Sequence, residues 1–257
     1  MSLSDPKLTN PATKFISFKA EENKFVYWNK DEEKNIEIPL PVYFIVLDEL
    51  TTIRGYHPAS NSGIYSNEVK FLNDEILNVK SFKGNLNIVG KYNDIKDSIK
   101  ANGGKYAKSV YAALMIDKNT IEMVNFNFGG SACSAWIEKK FNTEKFGVVI
   151  KETMIEEGKK GSYYIPIFGK LNFPEGELLQ KAIEMDRQLQ NYLKAYRNIK
   201  NEEIESTNYN DQMKEFAEND RITTEEATKT LYPEMVSEKA DKLISEDNLN
   251  PTDDLPF

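Results

Sequence analysis

Residues Val42-Tyr43-Phe44-Ile45-Val46-Leu47 are apolar at every position. A strand wetted on one side alternates polar and apolar residues, because successive side chains point to opposite faces. This run has no polar face, so it predicts a central strand buried on both sides. Pro39 and Pro41 place its start at a sheet edge or bend, since proline cannot donate to a ladder.

Shorter alternating segments surround it. Residues 13–19 and 24–29 read as a hairpin, with Phe15 and Ser17 opposing Ile16 and Phe18, and Phe25 and Tyr27 opposing Val26 and Trp28. The central strand is expected over 36–50 and a short one, with Gly55 at a bulge or corner, over 53–57. Further strands are expected at 64–70, 76–82 and 86–90. Residues 105–117 and 120–128 read as a hairpin, and so do 148–156 and 163–168. Short helices are expected at 92–100 and 131–141. Many short strands, polar and glycine turns and no alternation of strand and helix predict a mainly β fold, a barrel or sandwich.

Pro174 opens the longest predicted helix, 174–200, where a missing N–H costs nothing. Leu178, Ala182, Met185, Leu189, Tyr192, Tyr196 and Ile199 step by four and three, the spacing of a coiled-coil seam. Leu179, Ile183 and Leu193 widen the stripe, which suits docking on a flat core better.

Charge divides the 257 residues. The last 57 carry a net charge of -11, whereas the first 200 carry +3. A mildly basic body with an acidic tail is a distribution expected of a nucleic-acid binder with an interaction segment. The domain reading is a flexible arm at 1–12, a binding domain at 13–200 and an acidic, largely disordered interaction tail at 201–257. A single cysteine, Cys133, excludes an internal disulfide and a cysteine-rich zinc site, and fits a reducing cytoplasm. Residues 1–6 lack the architecture of a secretion signal, and no apolar run reaches the ~20 residues of a membrane span.

The tail ends on Asp253-Asp254-Leu255-Pro256-Phe257. The Phe ring can fill an apolar pocket while the carboxylates meet a basic rim. This run resembles the acidic tip of bacterial single-stranded DNA-binding proteins. The body, through Lys14-Phe15-Ile16, Leu47-Asp48-Glu49-Leu50, Ile53-Arg54-Gly55 and Tyr65-Ser66-Asn67-Glu68-Val69, resembles single-stranded DNA-binding proteins of tailed phages, the crAss-like group in particular. The resemblance implies an elaborated oligonucleotide-binding (OB) barrel with inserted helices, one long C-terminal helix and an acidic tail. It also implies a role in replication and recombination in the bacterial host cytoplasm.

Binding single strands requires cations that follow phosphates and aromatic faces on which bases stack. Of the 29 aromatic residues, 25 fall in the first 200 positions, so stacking candidates are sought there. Two regions interleave them with cations: Arg54, Tyr56, Tyr65 and Lys70, then Lys100, Lys105, Tyr106, Lys108 and Tyr111. Trp28, with Lys14 and Lys30 near it, is a third candidate. Asp253, Asp254, Leu255, Pro256 and Phe257 are the candidate contact for replication or recombination proteins.

Catalysis has little support in the sequence. Gly103-Gly104-Lys105-Tyr106 lacks the spacing of an NTPase phosphate loop. Cys133 has no nearby base, since His57 is the only histidine. The sequence points to no catalytic residue, metal or cofactor. The expected function is sequence-tolerant binding and protection of single-stranded DNA. A replisome adaptor without DNA affinity, or a nucleic-acid-processing enzyme, are the alternatives.

Overall fold

In the computed structural model the apolar run opens β4 (Val42–His57), a strand of 16 residues around which the other strands are arranged. Residues 8–159, 161–202 and 204 are described, all within Met1–Ile204, the first of two units into which the chain divides. The acidic tip and almost all of the tail lie outside them.

One edge of β4 pairs along its length with β8 (Gly104–Met115), with a bulge that leaves Leu47 as the extra residue. Its other edge is shared. β10 (Gly147–Gly158) takes Val42–Phe44, β5 (Ser62–Ser66) takes Arg54–His57, and Thr51 exchanges two backbone hydrogen bonds with Val69 between them. The full path is β3 (Lys34–Ile38), β2 (Lys24–Asn29), β1 (Lys14–Lys19), β9 (Ile121–Gly129), β8, β4, β5, β6 (Ile76–Ser81) and β7 (Asn87–Lys91). β11 (Gly161–Leu171) pairs with β10 alone. Every pairing is antiparallel except β1 with β9.

The expected barrel does not close. The path has two ends, β3 and β7, and no ladder joins them. The sheet nevertheless curls, because Phe25 of β2 and Ile150 of β10, far apart in strand order, share one core. A backbone hydrogen bond from the Tyr164 N–H of β11 to the Ala20 carbonyl, just past the end of β1, at 2.8 Å, also links parts distant in strand order.

The two faces of β4 explain the unbroken apolar run. Val42 and Phe44 point inward to the first core, with Val110, Val124, Phe126 and Phe128. Trp136, from α2 (Gly130–Glu138), completes that core. Ile45 and Leu47 point outward, where α3 (residues 177–202) lies on the sheet. Leu178, Ala182, Met185, Leu189 and Leu193 pack there against Leu50, Tyr111, Ala113, Ile121 and Met123. The stepped stripe is therefore a docking face, and Ile183 and Ile199 stay exposed. A third core, Ile53, Ile64, Leu77, Val79 and Ile99, joins the far end of β4 to β5, β6 and α1 (Tyr92–Ala101).

Four details differ from the expectation. α3 begins at Glu177 rather than Pro174: Gly176 adopts φ +67°, outside the helical range, and the Gln180 N–H bonds back to its carbonyl at 3.3 Å. The break expected after Leu50 falls instead at Pro39–Pro41: Ile36–Ile38 belong to β3, and β4 runs unbroken from Val42 to His57, because Thr51 and Thr52 are buried inside the ladder with β8. β5 stops at Ser66, whose Oγ accepts the Ile53 N–H at 2.9 Å and so ends the regular pairing. The described part of the N-terminal arm is held down: the Asn10 amide donates to the Tyr111 hydroxyl at 2.9 Å, and Ala12 is buried. Among the described residues no helix is long and apolar enough to cross a membrane.

Candidate nucleic-acid interface

Residues directly opposite in neighbouring strands share a face. β8 sets Lys105 opposite Arg54 of β4, β4 sets Arg54 opposite Tyr65 of β5, and β5 sets Tyr65 opposite Lys80 of β6. The result is one row, Lys105, Arg54, Tyr65 and Lys80, crossing four strands. Arg54 has the same parity as Leu50, so the row lies on the face that α3 covers further along. Tyr56, two positions on, is 53% exposed, and its hydroxyl is paired with the Asn61 amide oxygen. Phe82, 69% exposed, stacks on Tyr65 with ring centroids 4.6 Å apart.

Two glycines let these strands meet. A Cβ on Gly55 would sit 2.2 Å from the Gly103 carbonyl oxygen, so only glycine allows this approach. Gly103 itself has φ +87°, which turns the chain from α1 into β8.

The two cation–aromatic regions found in the sequence are thus cross-strand neighbours, although their members divide. Arg54, Tyr56, Tyr65 and Lys105 come together. Lys70 is held by the Asp48 carboxylate. Lys108 points to the inner face and pairs with Glu49 at 2.8 Å. Among the described residues Arg54, Lys80 and Lys105 form no ion pair. Lys100, exposed at the end of α1, joins Lys96, Lys105, Tyr92 and Tyr106 around a separate cavity of about 490 Å³. Tyr106 is half-buried there, edge-on to Tyr92 at 6.5 Å. Trp28 is 57% exposed but stands on β2, with β1 and β9 between it and the row.

Tyr111 is a correction. It is fully buried beneath α3, and its hydroxyl donates to Glu68 at 2.9 Å. It offers no ring face to a base. Burial first, then the Glu68 charge, pushes its hydroxyl far above the usual tyrosine range. The same two causes raise Tyr192 to about 12 and push Tyr196 up as well. Glu68 is therefore the anchor of α3: it accepts from Ser109 and Tyr111, while its backbone N–H donates to the Tyr196 hydroxyl at 3.0 Å.

Lys80 and Phe82 were missed by the sequence reading. Their spacing of two, inside the strand expected at 76–82, was the available signal. Among the described residues no group of three or more His, Cys, Asp or Glu is placed to hold a metal ion. Comparison with protein-family models, with curated proteins and with solved structures finds no match to this chain.

Proposed function

We propose that this chain binds single-stranded DNA without catalysis and with little sequence preference, as the single-stranded DNA-binding proteins of tailed phages do in replication and recombination. The observation that carries the reading is the row Lys105, Arg54, Tyr65 and Lys80, edged by Tyr56 and Phe82. It supplies cations for phosphates and rings for bases on one surface. In this reading the curled sheet is an elaborated, open OB-type barrel working in the host cytoplasm. The acidic tail recruits replication proteins through Asp253, Asp254, Leu255, Pro256 and Phe257, which lie outside the described residues.

Two tyrosines test the surface. Tyr65→Ala should weaken binding to a dT oligomer by about 1–3 kcal/mol, the worth of one stacked base. Tyr111→Ala should chiefly lower the melting temperature, because its ring is core. Unchanged affinity in a folded Tyr65→Ala variant would remove the row as the binding surface. The tail has a separate test. Removing residues 255–257 should abolish capture of replication proteins in a host pull-down and leave DNA affinity nearly unchanged. Retention of every such protein would end that part of the proposal.

A further inference from the structure

The cavity of about 490 Å³ beside Lys100 lies between α1 and the start of β8, and its volume falls within the ~300–1,000 Å³ of ligand sites. Tyr92, Lys96 and Lys100 stand four residues apart on α1, so they share the helix face that lines it. Lys105 and Tyr106 of β8 line the other side.

The cavity exists because a ladder stops short. β8 pairs with β9 only from Ala107, opposite Gly129, so Gly104, Lys105 and Tyr106 have no strand on that side. Successive strand residues point to opposite faces. A cavity lined by both Lys105 and Tyr106 therefore wraps this open edge, from the outer face that carries the row to the inner face. A Cβ on Gly104 would sit 2.6 Å from the Ile99 Cγ2 and 3.1 Å from its carbonyl oxygen, so a larger residue would push α1 off the strand.

Charge and rings meet here. Among the described residues Lys96, Lys100 and Lys105 form no ion pair, and Asp97 is the one acid in the lining. A cleft whose charge is mostly of one sign concentrates its field, here in favour of an anion. Tyr106 is half-buried, edge-on to Tyr92, with the Lys108 Nζ 5.7 Å from its ring centroid. Lys105 belongs both to this cavity and to the cationic row.

We infer that a strand bound along the row turns over the open edge of β8 and places a further nucleotide in this cavity. Its phosphate lies among Lys96, Lys100 and Lys105, and its base lies against Tyr106 and Tyr92. Cations beside ring faces are what single strands require, and neither contact reads a base edge, so sequence tolerance is kept. The inference rests on the binding reading above and adds to it a path around the sheet edge and a second ring site.

Two measurements on the full chain test it. The first is photocrosslinking to a dT oligomer of about 16 nucleotides, the upper end of single-module sites, with 5-iodouracil replacing one thymine at a time. Mapped crosslinks should fall on Tyr92 or Tyr106 as well as on Tyr56, Tyr65 or Phe82. The second is the salt slope of a Lys96→Ala, Lys100→Ala double variant. It should fall by about 0.7–1.4, for one or two phosphates at ~0.7 each. The melting temperature should not drop, because neither lysine is in an ion pair and alanine favours a helix. Lys118→Ala, in the turn at the opposite end of β8, should leave the slope unchanged. Crosslinks confined to Tyr56, Tyr65 and Phe82 would overturn the inference and leave the binding reading intact. So would an unchanged slope in the folded double variant, or an equal fall per lysine in Lys118→Ala. No binding of the oligomer by the unaltered chain would instead overturn the binding reading, and this inference with it.

Discussion

Trp136→Ala should destabilise the fold by about 3–5 kcal/mol, the usual loss for a large buried aromatic, measured by urea unfolding. The ring is fully buried and touches three others, with centroids 5.1 Å from Phe128, 5.1 Å from Phe168 and 6.2 Å from Phe44. It joins α2 to β4, β9 and β11 at the place where the sheet curls. Its Nε1–H donates to Glu49 at 2.9 Å, and the same carboxylate pairs with Lys108. Burial works to raise the Glu49 pKa, but the hydrogen bonds from Lys108 and Trp136 outweigh it and hold the carboxyl below its usual range. The stability this group contributes is therefore complete above the ordinary carboxylate pKa and is lost as pH falls through the lowered one. Trp136→Phe keeps most of the packing and removes the N–H, so it should cost less and shrink that acid-sensitive part. A loss under about 1 kcal/mol for the alanine variant would show that this core does not hold the curl.

The second large effect concerns the cationic row. Replacing Arg54, Lys80 and Lys105 together by alanine should reduce the slope of log affinity against log salt by about 2, since each single-strand phosphate contact contributes ~0.7. The loss should be largest at low salt, where screening is weakest. Lys70 and Lys108 provide the contrast, because both are already paired with carboxylates. Lys108→Ala should lower stability, by exposing Glu49 to an unpaired environment, and leave the slope nearly unchanged.

The strands were legible where one face is wet and the pattern alternates. Phe25 and Tyr27 do oppose Val26 and Trp28, with the first pair packed in the core. The run at 42–47 also declared its two covered faces, although nothing in it named α3 as the outer cover. Local pattern was silent about the parallel pairing of Lys14–Ser17 with Val124–Asn127, which joins segments more than a hundred residues apart. The candidate site was readable in part for the same reason. Arg54, Tyr65 and Lys105 lie in strands whose alternation aims them outward, but which strands adjoin is a property of topology. Tyr111 shows the cost. It has the same parity as Lys105, so a periodicity argument puts both on one surface, yet α3 crosses that surface at Tyr111 and has left it uncovered by Lys105.

The most direct test of the binding account is a fluorescence titration of the full chain with poly(dT) at several salt concentrations, beside the Arg54, Lys80 and Lys105 triple-alanine variant. The account predicts tight, salt-dependent binding by the unaltered chain, weaker binding to duplex, and a slope lower by about 2 in a folded variant. Absence of binding at low salt, or identical slopes for the two proteins, would contradict it.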